Sequence, residues 1–128
     1  MKDIHFVGKI NVEIFKVITE DIQTDEVIIT EVQIEHIKQR HPSDYIKYFQ
    51  YIREIVESPD YILEANKPNS AVLLKSISES GKKYKLVLRF KVSTDPNEYK
   101  NSVITFLSVD DRDWNRLLKN KKVLYKCE

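Results

Sequence analysis

The chain contains few of the residues from which nucleotide-binding loops, disulfides and thiolate metal sites are built. Its two glycines, Gly8 and Gly81, stand far apart, whereas Gly-rich phosphate loops and dinucleotide-binding turns need several glycines close together. Its one cysteine, Cys127, can neither form a disulfide within the chain nor assemble a thiolate metal site. The composition therefore argues against these kinds of site and indicates a reducing, cytoplasmic setting.

Long apolar runs are also absent. No segment approaches the roughly 20 apolar residues of a membrane span, and the first residues lack the basic and then apolar pattern of a signal peptide. The chain has 128 residues, of which 41% are hydrophobic and 32% are charged, a composition typical of a globular protein. We therefore expect one domain over residues 1–128 that is neither secreted nor inserted into a membrane.

The net charge of +1 conceals an uneven distribution of charge. Residues 1–60 carry a balance of −5 and residues 61–128 a balance of +6. A basic half can steer a polyanion to one side of a protein. Chance scatter of surface charge is the alternative explanation, and the sequence does not decide between the two.

The first part of the chain predicts short elements. Residues 5–18 alternate loosely between apolar and polar side chains, which indicates a strand or hairpin, and residues 27–29 predict a short strand. Thr30, with Gln33 three positions later, has the pattern of a helix N-cap. We therefore expect a short helix that ends near Arg40.

A second helix is predicted just after Pro42, because proline disfavours helical geometry in the residue before it. Ser43 is its expected N-cap, and the Ser58-Pro59-Asp60 break is its expected end. Between them, apolar side chains recur at helical spacing: Tyr45, Tyr48, Phe49, Ile52, Ile55 and Val56. Such a stripe needs a partner surface.

After this break the apolar side chains alternate with polar ones, as they do in strands. Four strands are predicted over residues 61–65, 71–78, 84–92 and 102–109, followed by a helix over 110–119 and a strand over 123–125. The short links between them favour antiparallel neighbours. We therefore expect an α+β fold in which an N-terminal strand or hairpin and two helices pack on a four-stranded antiparallel sheet, with a late helix.

Several polar side chains on the predicted strands could form a basic sheet face. Lys85, Arg89 and Lys91 alternate along one strand and so share one side of it, while Lys75 and Thr105 interrupt apolar runs in two other strands. A sheet with one apolar and one basic face could bind nucleic acid or phosphate. An ordinary solvated face, on which Lys and Arg stems cover apolar neighbours, is the alternative.

A second polar cluster precedes the amphipathic helix. His36, Arg40 and His41 stand directly before Pro42. An imidazole can accept and donate a proton near neutral pH, and a guanidinium can stabilise developing negative charge, so this pair suits phosphodiester cleavage without a metal. The same residues could also be plain surface residues at the end of a helix.

The order of these elements resembles the phage and mobile-element nuclease families grouped with barnase, EndoU, colicin E5/D and RelE. The resemblance rests on the His36–Pro42 segment, the amphipathic helix, the Pro59–Ile62 step and a meander that carries Lys75, Arg89 and Thr105. It covers residues from about 27 to the C-terminus and implies a nuclease-like core over 27–128. Residues 1–26 lie outside it, as an accessory segment or as an edge that binds a partner.

The resemblance implies a metal-independent endoribonuclease that cleaves RNA, with transfer RNA as one candidate, through attack of a ribose 2′-hydroxyl. Such a reaction needs a base, an acid and cations around the transition state. The candidate catalytic residues are His36, Arg40, His41, Arg89 and Thr105, and the candidate substrate-binding residues are Lys75, Lys85 and Lys91. No compact set of Asp, Glu and His ligands stands out, so we expect neither a metal nor a cofactor.

Two other functions remain open. The sheet could bind a partner protein or inhibitor through an edge strand without any catalysis. It could also bind RNA without cleaving it, with Tyr61, Tyr84 and Tyr99 available for stacking. An enzyme should bring His36 or His41 within one substrate's reach of Arg89, whereas a binding module needs no such convergence.

Overall fold

A computed structural model describes residues 4–40 and 45–127, except for the side chain of Tyr45. The elements, in chain order, are β1 (Ile4–Lys9), α1 (Val12–Phe15), β2 (Glu26–Thr30), α2 (Glu31–Arg40), α3 (Tyr45–Glu57), β3 (Tyr61–Glu64), β4 (Ser70–Ile77), β5 (Lys82–Arg89), β6 (Asn101–Val109), α4 (Asp111–Asn120) and β7 (Val123–Lys126). The predicted α+β class is confirmed. Within the described ranges, no helix is both long enough and apolar enough to cross a membrane.

The strands form one seven-stranded sheet in the order β1-β2-β6-β5-β4-β3-β7. The predicted antiparallel meander from β3 to β6 is confirmed, but the prediction of a four-stranded sheet is wrong, because three further strands join it. β2 adds to β6 in parallel, β1 pairs with β2, and β7 pairs with β3. These extra pairings join segments far apart in the chain, which local periodicity does not reveal.

α2 begins where the sequence predicts it. The Thr30 hydroxyl accepts a hydrogen bond from the Gln33 backbone N–H at 3.4 Å, which satisfies one of the free donors at the helix start. Ile34 and Ile37 are buried on the side of α2 that faces the sheet. The predicted cap of the next helix, Ser43, lies outside the described residues.

α3 supplies the centre of the main core. Ile52, Ile55 and Val56 are fully buried, as the helical spacing predicts, while Phe49 is only partly buried. α3 contacts both β1 and β4, which have three strands between them in the sheet, so the sheet curls around this helix. We call the face that packs on α2 and α3 the helical face.

The opposite face is only partly covered. α4 packs the Trp114 ring onto this face, against Leu63, Val72 and Leu74 of β3 and β4. The Asp110 carboxylate caps the helix by accepting from the Asp113 backbone N–H at 2.8 Å. The rest of this side, which carries Lys85, Val87, Arg89, Ile104 and Thr105, is called the open face.

A β-bulge shapes the open face. The β5–β6 register shifts between Val87 and Leu88, so Val87 is opposite Thr105 and Leu88 is opposite Val103. Val103 and Phe106 both belong to the core under the helices. The two residues between them, Ile104 and Thr105, are therefore both turned towards the open face, as expected where a bulge adds one residue to a strand.

Replacing Ile52 with Ala should lower the free energy of unfolding by about 2–5 kcal/mol, because it leaves a cavity in the core under α3. Ile46→Ala in the same helix is a matched control, since Ile46 is 63% exposed, and should cost less than about 0.5 kcal/mol. Urea unfolding followed by circular dichroism measures both. Equal losses in the two variants would contradict the burial of this stripe.

Candidate functional site

The open face carries two adjoining cavities. The larger, of about 600 Å³, lies between β4, β5 and the loop that joins β3 to β4, and we call it the loop pocket. The smaller, of about 410 Å³, lies over β1, β2 and β6 beside residues 98–100, and we call it the edge pocket. Arg89 and Ile104 line both. These two residues therefore mark the point where the cavities meet.

Arg89 is held in one orientation by Asp95. Its Nη1 and Nη2 donate to the two carboxylate oxygens of Asp95, each at 2.9 Å, and Nη1 also donates to the Phe90 carbonyl at 3.2 Å. Such a two-pronged ion pair fixes both direction and charge. The Arg89 side chain is 36% exposed and that of Asp95 12%, so the cation rather than the carboxylate faces the cavities.

This pairing also changes the proton affinity of both groups. Hydrogen bonds from Arg89 and from the Val92 backbone N–H lower the pKa of Asp95 to about 2. The Asp95 hydrogen bonds in turn raise the pKa of the Arg89 guanidinium. Both groups remain charged across the physiological range, so Arg89 presents a permanent cation to the two pockets.

The loop pocket adds further cations. Lys67, Lys85 and Lys121 all line it. Lys121 donates to the Asn66 amide oxygen at 3.1 Å, whereas Lys67 and Lys85 have no hydrogen bond or ion pair with any residue in the described ranges. Cations without an internal counterion are available to an anionic ligand.

The edge pocket contains the carboxylate of the site. Glu98 is the single acidic residue among the described residues that line either cavity, and it shares the edge pocket with Tyr99, Lys100 and Arg89. The sequence marked Tyr99 as a stacking candidate but missed Glu98 and Lys100. All three lie in a polar link between two strands, where no periodicity singles out one side chain.

The link that carries these residues is tied to the N-terminal segment. Ser93 donates to one Asp21 carboxylate oxygen from its backbone N–H at 3.0 Å and from its hydroxyl at 2.7 Å, which lowers the pKa of Asp21. The fully buried Asn101 donates to the Thr24 carbonyl at 2.7 Å and accepts from the Lys91 N–H at 2.8 Å. Residues 21–24 therefore hold the segment that supplies Asp95, Glu98 and Tyr99.

Of the residues proposed from the sequence, Arg89 and Lys85 line the cavities of the open face, and Thr105 lies on the same face opposite Val87 but lines neither cavity. Lys91 lies just beyond the end of β5 and lines neither pocket. Lys75 is turned to the helical face: its Nζ donates to the Ser58 carbonyl at 2.7 Å and to Asp60 at 3.4 Å. Lys75 thus stabilises the end of α3, where a cation is favourable, and the structure does not bring it to Arg89.

The histidine cluster lies on another layer. His36 and Arg40 are exposed on α2, away from its buried Ile34 and Ile37, so the sheet separates them from Arg89. His41 lies outside the described residues. His5 bonds Glu31 at 2.7 Å and lines neither cavity. The structure therefore does not bring His36 and Arg89 within reach of one substrate.

Within the described ranges, no group of three or more His, Cys, Asp and Glu side chains is arranged to hold a metal ion. The chemistry that the open face offers comes from cations, one carboxylate and hydroxyl groups. These are the groups that bind phosphates and move protons.

The Arg89–Asp95 pair should make stability depend on acid pH. Because folding lowers the pKa of Asp95 from 3.8 to about 2, its contribution to stability is complete above about pH 5 and is lost progressively as the pH falls through the folded value. Asp95→Asn should therefore lower stability near neutral pH and reduce the loss of stability between pH 4 and 2. Urea unfolding at a series of pH values measures the free energy of unfolding of both proteins. Part of the loss of stability in acid should remain in the variant, because the pKa values of Asp21 and Glu26 are also lowered.

A matched control is Glu20→Gln, an exposed carboxylate with no partner in the described ranges. It should leave stability near its wild-type value at every pH. The same pH dependence in Asp95→Asn and the wild type would contradict the proposed strength of the ion pair.

A family model matches nearly the whole chain. Residues 2–126 match the family described as phage-Barnase-EndoU-ColicinE5/D-RelE like nuclease2. The matched range includes residues 2–26, which the resemblance noted in the sequence leaves out, and all residues that line the two pockets. Searches for similar curated proteins and solved structures gave no match. Because the match spans nearly the whole chain, the protein belongs to the phage-Barnase-EndoU-ColicinE5/D-RelE like nuclease2 family.

Proposed function

We propose that the protein is a metal-independent endoribonuclease that binds and cleaves RNA on the open face of its sheet. The observation that carries this proposal is the position of Arg89, a charged and oriented guanidinium at the junction of two cavities. The family match supports nuclease activity. The restriction to RNA and the independence from metal are inferred from the groups available on the open face.

Arg89 has N–H donors that make no hydrogen bond within the described residues and are available to a phosphate. A guanidinium has five N–H donors, and Asp95 and Phe90 occupy three of them, two on Nη1 and one on Nη2. The remaining donors, on Nε and Nη2, point along one edge of the guanidinium and can bind two phosphate oxygens together. Asp95 is thus a positioning residue that leaves the phosphate-binding edge of Arg89 free.

The proposed reaction needs two proton transfers. The ribose 2′-oxygen forms a bond to phosphorus while the bond to the 5′-oxygen breaks, and the products are a 2′,3′-cyclic phosphate and a 5′-hydroxyl. Glu98 accepts the 2′-hydroxyl proton, because it is the carboxylate that shares a cavity with Arg89. Lys85 or Tyr99 donates a proton to the leaving 5′-oxygen, and Thr105 donates a hydrogen bond to a phosphate oxygen.

Binding of RNA without cleavage is the second candidate function. It is favoured by one observation, that neither described histidine, His5 or His36, lines either pocket. A site without imidazole has fewer groups suited to proton transfer near neutral pH. The cations of the open face would still bind phosphates in such a protein.

The protein should cleave mixed RNA in EDTA and leave 2′,3′-cyclic phosphate ends. Arg89→Ala should reduce the rate about 10²-fold or more, because it removes a cation from the transition state, and Glu98→Gln should also reduce it. Arg53→Ala is a matched control: Arg53 is 63% exposed on α3 and should be dispensable. Gel analysis of end-labelled RNA gives the rates, and circular dichroism verifies that each variant folds.

Three outcomes would contradict parts of this proposal. Cleavage only with an added divalent metal would exclude the mechanism. A folded protein that binds RNA but never cleaves it would favour the second candidate. Loss of activity in His36→Ala with full activity in Arg89→Ala would move the site to the helical side.

A further inference from the structure

Exposed apolar side chains are concentrated at the edge pocket. Ile4 and Tyr99 are each 49% exposed and Ile104 is 42% exposed, and all three line this cavity. Phe6, 59% exposed, is opposite Ile28, which also lines it. A contiguous apolar patch of this kind on a protein surface marks a binding site more often than scattered apolar residues do.

Two departures from a regular sheet create the patch. The added strand β1 places Ile4 and Phe6 beside Ile28 of β2, because alternate residues of a strand share one face. The bulge in β6 turns Ile104 out towards the same side. α4, which packs on β3 and β4, covers none of these residues.

The charges around the patch determine what can occupy it. Arg89 and Lys100 line the same cavity, and Lys85 lies in the adjoining loop pocket. Lys100 is paired with Glu26, whereas Arg89 keeps unused donors towards the cavity. The occupant therefore combines a flat apolar group with an adjacent anion.

A nucleotide in a single strand has this combination, because its base is flat and its phosphate is adjacent. In a duplex the bases are stacked and paired, so a base enters a side cavity only at the cost of unstacking and unpairing, which a single strand does not pay. Aromatic side chains bind unpaired bases by stacking, largely independent of sequence. The volume of about 410 Å³ falls within the range of small-molecule pockets.

We propose that the edge pocket is a nucleobase subsite, in which an unpaired base stacks on Tyr99 above Ile4 and Ile104 while its phosphate is bound by Arg89. The substrate class is then single-stranded RNA. This inference rests on the proposed function, since it takes Arg89 as the phosphate-binding group of the same site.

The test compares two strands of equal charge. One is a short 2′-O-methyl oligouridylate, which lacks the attacking 2′-hydroxyl and is not cleaved, and the other is a fully abasic 2′-O-methyl strand of the same length. The strand with bases should bind about 5- to 150-fold more tightly, as expected for the stacking of one base. Fluorescence anisotropy of labelled strands at low salt measures both affinities.

Variants of the residues that line the edge pocket test whether the tighter binding of the strand with bases arises there. Tyr99→Ala should bring the affinity for the oligouridylate close to that for the abasic strand, whereas Tyr99→Phe should keep the preference because it retains the ring. Ile104→Ala should reduce the preference for the strand with bases, whereas Ile46→Ala, the same change at an exposed site on α3, should leave this preference unchanged. Both Tyr99 and Ile104 are partly exposed, so these variants should fold.

The outcomes separate this inference from the proposed function. Equal binding of the two strands, with RNA cleavage in EDTA intact, would overturn the subsite and leave the nuclease proposal standing. A base preference that survives Tyr99→Ala and Ile104→Ala would also overturn the subsite. Failure of both strands to bind, together with absence of RNA cleavage, would overturn both proposals and leave a protein partner as the occupant of the patch.

Discussion

The two faces of the sheet are buried unequally. α2 and α3 cover the helical face with a continuous apolar core, in which α3 contributes fully buried side chains. α4 covers only part of the other face, where Trp114 packs on Leu63, Val72 and Leu74 of β3 and β4 and is joined by Val87 and Val109. The polar and apolar side chains of β5, β6 and the N-terminal strands are therefore left accessible on a rigid support. Rigid strands position functional groups more accurately than free loops do.

The link between β5 and β6 supplies side chains that orient Arg89 or line the edge pocket with it. It begins after β5, and its Asp95 accepts two hydrogen bonds from Arg89 and so orients the guanidinium. Further along, it places Glu98 and Tyr99 in the edge pocket, which Arg89 also lines. Hydrogen bonds to Asp21 and Thr24 fasten both ends of the link to the N-terminal segment. The first residues of the chain thus contribute to the candidate site, through the position of the link and through Ile4.

Local signals in the sequence were enough for α2, α3, α4 and the meander, but not for α1, which lies where a strand or hairpin is predicted over residues 5–18. The Thr30 cap, the stripe on α3 and the alternation that puts Lys85 and Arg89 on one side of β5 all depend on neighbouring residues. The seven-stranded sheet depends on pairings between distant segments, which no local period encodes. For the same reason the sequence could not show that β2 joins β6.

The candidate site was predictable only where its residues lie on regular strands. Glu98 belongs to the β5–β6 link, which has no periodicity, so local patterns could not show that it lines the same cavity as Arg89. His36 has a suggestive sequence context, yet the burial of Ile34 and Ile37 turns it to the helical side. Lys75 interrupts an apolar run because it binds the end of α3. Sequence proximity and residue type were thus poor guides to convergence in space.

The central claim is that nucleic acid binds the open face rather than the helical layer. Amide chemical-shift mapping by NMR with a non-cleavable single-stranded oligonucleotide tests it most directly. The account predicts perturbations that are centred on Lys85, Arg89 and Ile104 and leave α2 unaffected. Perturbations centred on His36 and Arg40, with the open face unchanged, would contradict it.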